Sequence, residues 1–189
     1  MIVGVSFEDP GLTSRIRSGV DRVEALLARS VDSPEPFVAE AAAHLLNAGG
    51  KRFRPLLTLL CAEFGEPRGD EAVEAAVVME LTHLATLYHD DVMDEAPVRR
   101  GAPSANARWD NSIAILVGDY LFAEASQIVA GLGTEAVRIQ AETFSRLVRG
   151  QIRETLGPGE GEDPLRHYLD VVADKTGSLI AACALLGSK

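Results

Sequence analysis

Apolar residues recur three and four positions apart along almost the whole chain, and no stretch alternates apolar and polar residues between turn signals, so the pattern predicts an all-α protein. A first helix is expected over roughly Leu12 to Ala28. A second carries Phe37, Val38, Ala41, Ala42, Leu45 and Leu46 and stops at Gly49-Gly50. Pro55 reads as the first residue of a leucine-rich third helix that ends at Gly65. A fourth, from Gly69-Asp70 to about Asp94, has a stripe of Val73, Val77, Leu81, Leu84, Tyr88 and Asp91 that belongs against a core. Beyond a polar loop through Arg99-Arg100-Gly101, helices are expected from Asn111 to Ala130 and from Thr134 to Leu156, with Thr134 as N-cap. Gly157 to Asp163 reads as a flexible linker. Asp163-Pro164 opens a last helix running past Lys175, and no internal repeat is present.

With 189 residues, 47% of them hydrophobic and 24% charged, the chain fits a single α-helical domain with a sizeable core. A net charge of −10 argues against nucleic acid as partner, because phosphate backbones are met by clustered Lys and Arg that most of this chain lacks. Cys61 and Cys183 lie in apolar, helix-like stretches, which points to reduced thiols and a cytoplasmic setting. The longest apolar runs, such as Ile113 to Gly118, are too short for a transmembrane segment.

Residues three, four and seven apart share a helix face, so His83, Leu87, Asp90 and Asp94 line one stripe with Asp91 beside it. Carboxylates there repel one another and oppose the dipole at the helix C-terminus. Mg²⁺ suits such a group, since it takes one or two carboxylates and fills its other positions with water and phosphate oxygens. A solvated acidic face is the alternative. Lys51, Arg52 and Arg54 at one turn, and Arg99-Arg100 at another, are isolated basic clusters with the chemistry to hold one or two diphosphates; taken singly, each also reads as a solvated turn. Glu80-x-x-His83 is the helical signature of di-iron carboxylate bundles, but that fold needs the motif twice and it occurs once here. Lys175, in an apolar helix, also reads as a snorkelling surface lysine.

Gly49-Gly50-Lys51-Arg52-x-Arg54-Pro55, then His83-x5-His89-Asp90-Asp91-x-x-Asp94, then Arg99-Arg100-Gly101, resemble the trans-polyprenyl diphosphate synthase family in order and spacing. Gly118-Asp119, Gly150-Gln151, and Lys175-Thr176 with the preceding Tyr168 extend the resemblance from about residue 40 onward, leaving residues 1–30 poorly matched. The resemblance implies a helical-bundle prenyltransferase of the isoprenoid synthase type. Asp90, Asp91 and Asp94 would bind an allylic diphosphate through Mg²⁺, with Arg99 and Lys175 assisting. Lys51, Arg54, His83 and Arg100 would hold isopentenyl diphosphate, and Gln151 and Thr176 complete the substrate-binding set. No protein nucleophile is required, because the metal makes diphosphate a leaving group and the isopentenyl double bond attacks the allylic cation.

The family also carries a second aspartate-rich motif that is not found up to Lys189, so the chain is expected to lack C-terminal helices and to be inactive alone. A homodimer or a completing partner chain is expected, the alternative being a non-catalytic diphosphate-binding or scaffold subunit of a heteromeric synthase. Asn106 stands where members commonly carry His. Ala85 and Thr86 sit about one helical turn, roughly 6 Å, below Asp90 and leave room for a growing tail, implying a product longer than farnesyl. Ala85 could instead be small to let two helices pack closely.

Overall fold

The computed structural model of the protein describes residues 7–65 and 70–189, so Gly69 of the expected Gly69-Asp70 helix start lies outside the described residues. In chain order the elements are α1 (Pro10–Ser30), α2 (Pro36–Asn47), α3 (Phe53–Ala62), α4 (Glu71–Met93), a hairpin of β1 (Val98–Arg99) and β2 (Ala102–Pro103), then α5 (Ala105–Arg108), α6 (Asn111–Gly131), α7 (Thr134–Leu156), α8 (Pro164–Val172), a π-helical turn (Ala173–Gly177) and α9 (Ser178–Gly187). The expected all-α architecture is what is found.

The fold is organised around α4. Its expected stripe is buried in full, and the remaining faces are buried too: Val77, Leu81, Leu84 and Tyr88 belong to a core shared with α1, α2 and α6, while Ala75, Val78 and Met79 belong to a second one shared with α7 and α9. A helix that is apolar nearly all round has to lie inside the bundle. Tyr88 locks it to α2, its hydroxyl donating to the Ala41 carbonyl at 2.5 Å and accepting from Leu45 N at 3.2 Å.

Several boundaries differ from the reading of the sequence, each for a local reason. α3 begins at Phe53, with Arg52 as its N-cap in the left-handed region (φ 49°), so Pro55 is the third helical residue. Its missing N–H falls in the first turn, where the helix leaves donors unpaired anyway. Gly133 rather than Thr134 caps α7. The polar loop is a tight hairpin, because Arg100 (φ 54°) and Gly101 (φ 80°) supply the two positive φ angles of a type I′ turn. The last helix is interrupted by the π-helical turn where α7 presses on it: a Cβ on Gly150 would lie 2.5 Å from the Lys175 backbone nitrogen. α6 corrects the estimate of apolar length, since as a whole helix of 21 residues it is long and apolar enough to cross a membrane. One face of it, with Ala114, Val117, Gly118, Leu121, Ala125 and Val129, is nevertheless buried within the bundle.

Replacing Tyr88 with Phe removes the bond to α2 while keeping the ring. The expected loss is about 1 to 2 kcal/mol of unfolding free energy, read from urea denaturation. No change in the midpoint would show that α2 is held by packing alone.

Candidate active site

Two chemically opposite places lie along α4. At the first, the chain leaving α2 turns through Gly49 (φ 97°) and Gly50, and the guanidiniums of two arginines cross over Gly50. A Cβ there would sit 2.7 Å from Arg52 Nη1 and 3.0 Å from Arg100 Cζ. Lys51, Arg52, Arg54, Glu80, His83 and Arg100 line a cavity of about 320 Å³. Arg100, from the hairpin turn, donates to the carbonyls of Leu45 (2.9 Å) and Gly49, which fixes it at this end. Arg54 Nε is buried without a partner. Burial, followed by the fields of Arg54 and Arg100, pushes the His83 imidazole down to about 3, so at neutral pH it is uncharged and can accept or donate one hydrogen bond. Burial also lowers Arg54 and Arg100 from their ordinary values, the condition of cations that an incoming anion would stabilise.

At the C-terminal end of α4 the three aspartates part company. Asp90 lines an apolar cavity of about 370 Å³ between α4, α6 and α7, shared with Thr86, Phe144, Leu147, Gln151 and Ile152. Burial raises the Asp90 carboxyl and Asp94 raises it further, while Lys175 and Arg99 oppose. Asp94 caps the helix and is exposed. Asp91 faces the other way. Its side chain is fully buried, Oδ1 accepts from Arg99 Nε at 2.6 Å, and Oδ2 has no partner. Accordingly, no group of three or more such ligands is gathered to hold a metal among the described residues. A hard cation fits Asp90 and Asp94 nonetheless, as a desolvated carboxyl and an exposed one share the end of a helix whose dipole favours positive charge.

The other expected site residues divide between the two places. Gln151 lines the apolar cavity with its Oε1 buried and unpartnered. Lys175 stands on the π-helical turn, paired with Glu154, and Thr176 beside it is exposed. Thr86 faces the apolar cavity, but Ala85 is packed in the core around α4 and does not line it, which favours the packing explanation of its small size. Gly118 is accounted for by His89, whose ring a Cβ there would overlap and whose Nε2 donates to the Ile115 carbonyl at 3.2 Å. Asn106 keeps one buried oxygen without a partner.

Three contributors escaped the sequence reading. Glu24 on α1 pairs with Arg52 at 2.5 Å. Glu80 had been singled out only as half of a di-iron signature, yet it pairs with Arg52 and Arg100. His44 on α2 donates through Nε2 to the Pro103 carbonyl at 2.7 Å and accepts from Arg108, tying down the hairpin that carries Arg99 and Arg100. No local spacing signals these, because each joins segments far apart in the chain.

The structure is thus an all-α bundle that carries a buried cationic cradle and an acidic helix end along one central helix. The family model for polyprenyl synthetase matches residues 35–188, and the chain belongs to that family. It is 54% identical over 99% of its length to a nonaprenyl diphosphate synthase of Mycobacterium tuberculosis, of which it covers 56%. It is 44% identical over 88% of its length to heptaprenyl diphosphate synthase component 2 of Geobacillus stearothermophilus, covering 52% of that protein. A geranylgeranyl pyrophosphate synthase from Corynebacterium glutamicum, solved with calcium and isoprenyl diphosphate, superposes with a TM-score of 0.87 at 54% identity, over 97% of this chain and 56% of the other. The chain thus spans about half the length of the relatives it matches, and its bundle is of the isoprenoid synthase type.

The raised Asp90 carboxyl sets a trade-off with a defined pH sense. Its folded value lies above the ordinary 3.8, so the cost of ionising it in the fold grows as pH rises through 3.8 towards the raised value and persists at neutral pH. Without metal, Asp90→Asn is expected to stabilise the protein at pH 7 by about 0.3 to 1 kcal/mol, a gain that disappears in strong acid. Thermal unfolding in EDTA at pH 7 and at pH 3 checks this; a destabilised variant at pH 7 would contradict it.

Proposed function

We propose that this chain supplies the substrate-binding half of a prenyltransferase that condenses isopentenyl diphosphate with an allylic diphosphate. The observation that carries the reading is the hairpin: adjacent arginines reach different stretches of α4, with Arg100 in the cationic cavity at its middle and Arg99 at the aspartates of its C-terminal end. One short segment thereby sets the spacing of two anion sites.

In this reading Lys51, Arg54, Arg100 and neutral His83 hold the isopentenyl diphosphate without metal. Asp90 and Asp94 hold Mg²⁺, which when bound draws charge out of the allylic diphosphate and makes it a leaving group. Asp91 acts through Arg99, whose guanidinium it fixes beside the same site. Lys175 adds positive charge opposite Asp90, and Gln151 and Thr176 take polar contacts along the rim. The apolar walls from Phe144, Leu147 and Ile152 receive the prenyl tail and exclude water that would capture the cation. The diphosphate released is itself the base for the closing proton loss, so no side chain is assigned that task.

Because these residues span 56% of the nonaprenyl relative, we take turnover to require the rest of such an assembly, and the 189 residues alone to bind diphosphates without multiple turnover. A homodimer is one form of the complete enzyme. The name of the Geobacillus relative, component 2, supports a second form, in which a partner chain completes a heteromeric synthase or uses this one as a diphosphate-binding subunit. The two free cysteines, Cys61 and Cys183, suit the expected cytoplasmic setting.

Separate titration of the two substrates tests the division of labour. In the full-length enzyme, Arg54→Ala should raise KM for isopentenyl diphosphate by the equivalent of about 2 to 5 kcal/mol, and Asp94→Ala should instead weaken the Mg²⁺-dependent allylic side. Equal losses for both substrates in both variants would refute it.

Product length follows from the cavity floor. The roughly 370 Å³ beneath Asp90 leave room for a tail longer than farnesyl, and Thr86 is the small residue of α4 that faces it. In the full-length enzyme, Thr86→Phe should shorten the product by one or more isoprene units in chromatographic analysis, whereas Ala85→Phe should chiefly destabilise the core. An unchanged product with Phe at position 86 would place the floor elsewhere.

A further inference from the structure

Glu80 presents a physical contradiction. It is an acid only 2% exposed, and it lines the cavity that Lys51, Arg52, Arg54 and Arg100 make cationic. Beside a bound diphosphate its charge repels, so electrostatics alone would leave this position uncharged. A buried carboxylate is tolerated only where it is paired, and here the pairs are specific. Glu80 Oε1 lies 3.2 Å from Arg52 Nη1 and 3.7 Å from Arg100 Nη2.

Those two arginines come from separate segments, one at the N-cap of α3 and the other in the β1–β2 turn. Both backbones are left-handed, at φ 49° and 54°, a conformation that is costly for a residue with a Cβ. Both guanidiniums cross the bare face of Gly50, where they also repel each other. Burial lowers Arg100, and Glu80 is the strongest influence acting the other way. On the far side Arg52 is braced by Glu24 of α1, with Nε 2.5 Å from Oε1.

We propose that Glu80 is a positioning residue of the isopentenyl diphosphate site: from the rigid, fully buried middle of α4 it draws Arg52 and Arg100 together over Gly50, so that the cradle is set before the anion arrives, with Glu24 holding Arg52 from the opposite side. The proposal rests on the cavity being that site. What Glu80 adds is preorganisation, since guanidiniums already fixed in place lose little freedom on binding, and this outweighs its repulsion of the ligand.

The two effects have opposite signs in Glu80→Gln, which keeps shape and burial but removes the charge. In the full-length enzyme the KM for isopentenyl diphosphate should rise about tenfold, the scale of one charge-assisted hydrogen bond, and by clearly more than the KM for the allylic substrate. Glu80→Asp should recover part of the loss. Glu24→Gln, at a half-exposed position that does not endanger folding, should shift the same constant in the same direction by a smaller factor. Inorganic pyrophosphate binding in EDTA should weaken in parallel. Tighter pyrophosphate binding by Glu80→Gln would mean that repulsion dominates, and equal increases in both KM values would mean a general structural role; either overturns the proposal. Arg54→Ala serves as the control, because if it leaves the KM for isopentenyl diphosphate unchanged, the assignment of the cavity fails rather than the role of Glu80.

Discussion

α4 is buried on nearly every side, and the arrangement of the site follows from that constraint. A polar side chain on such a helix must find a partner inside the bundle or reach the helix end. Glu80 finds Arg52 and Arg100; Tyr88 finds the α2 backbone; Asp91 finds Arg99. Asp90, which lines the apolar cavity, and Asp94, which caps the helix, come free at the C-terminus. The helix therefore sorts charge by position, with an acid held among cations in its middle and acids lacking a guanidinium partner at its end.

The hairpin depends on the same helix. Arg99 is anchored by a carboxylate of α4 and Arg100 by carbonyls at the end of α2, which Tyr88 ties to α4. Its position is further fixed by the His44 bond to Pro103. The cationic cavity and the acidic helix end are thus both referenced to one rigid element. This would suit the proposed condensation, which must bring two diphosphate esters together at a fixed separation.

Much of this was legible in the sequence, and the unread parts share a cause. The stripe from Val73 to Tyr88 runs on to Asp91, so periodicity already placed that carboxylate on the core side; its pairing with Arg99 depends on the hairpin and was not legible. The helix boundaries from Asn111 to Leu156 were read correctly within a residue or so. The left-handed Arg52, the π-helical turn at Lys175 and the Glu24 bridge were not legible, because each is imposed by a distant segment: the crossing of two arginines over Gly50, the approach of Gly150, and α1 folding back on α3. Ala85 and Thr86 are neighbours in sequence, yet one packs into the core and the other faces the apolar cavity, a distinction that depends on which helix packs where.

If α4 separates two anion sites of different chemistry, one built from fixed cations and one needing a divalent metal, calorimetric titration of the full-length protein with inorganic pyrophosphate, in EDTA and then in Mg²⁺, distinguishes them. A single class of site is expected in EDTA, with a second class appearing only in Mg²⁺. Two sites in EDTA, or none until Mg²⁺ is added, would rule this arrangement out.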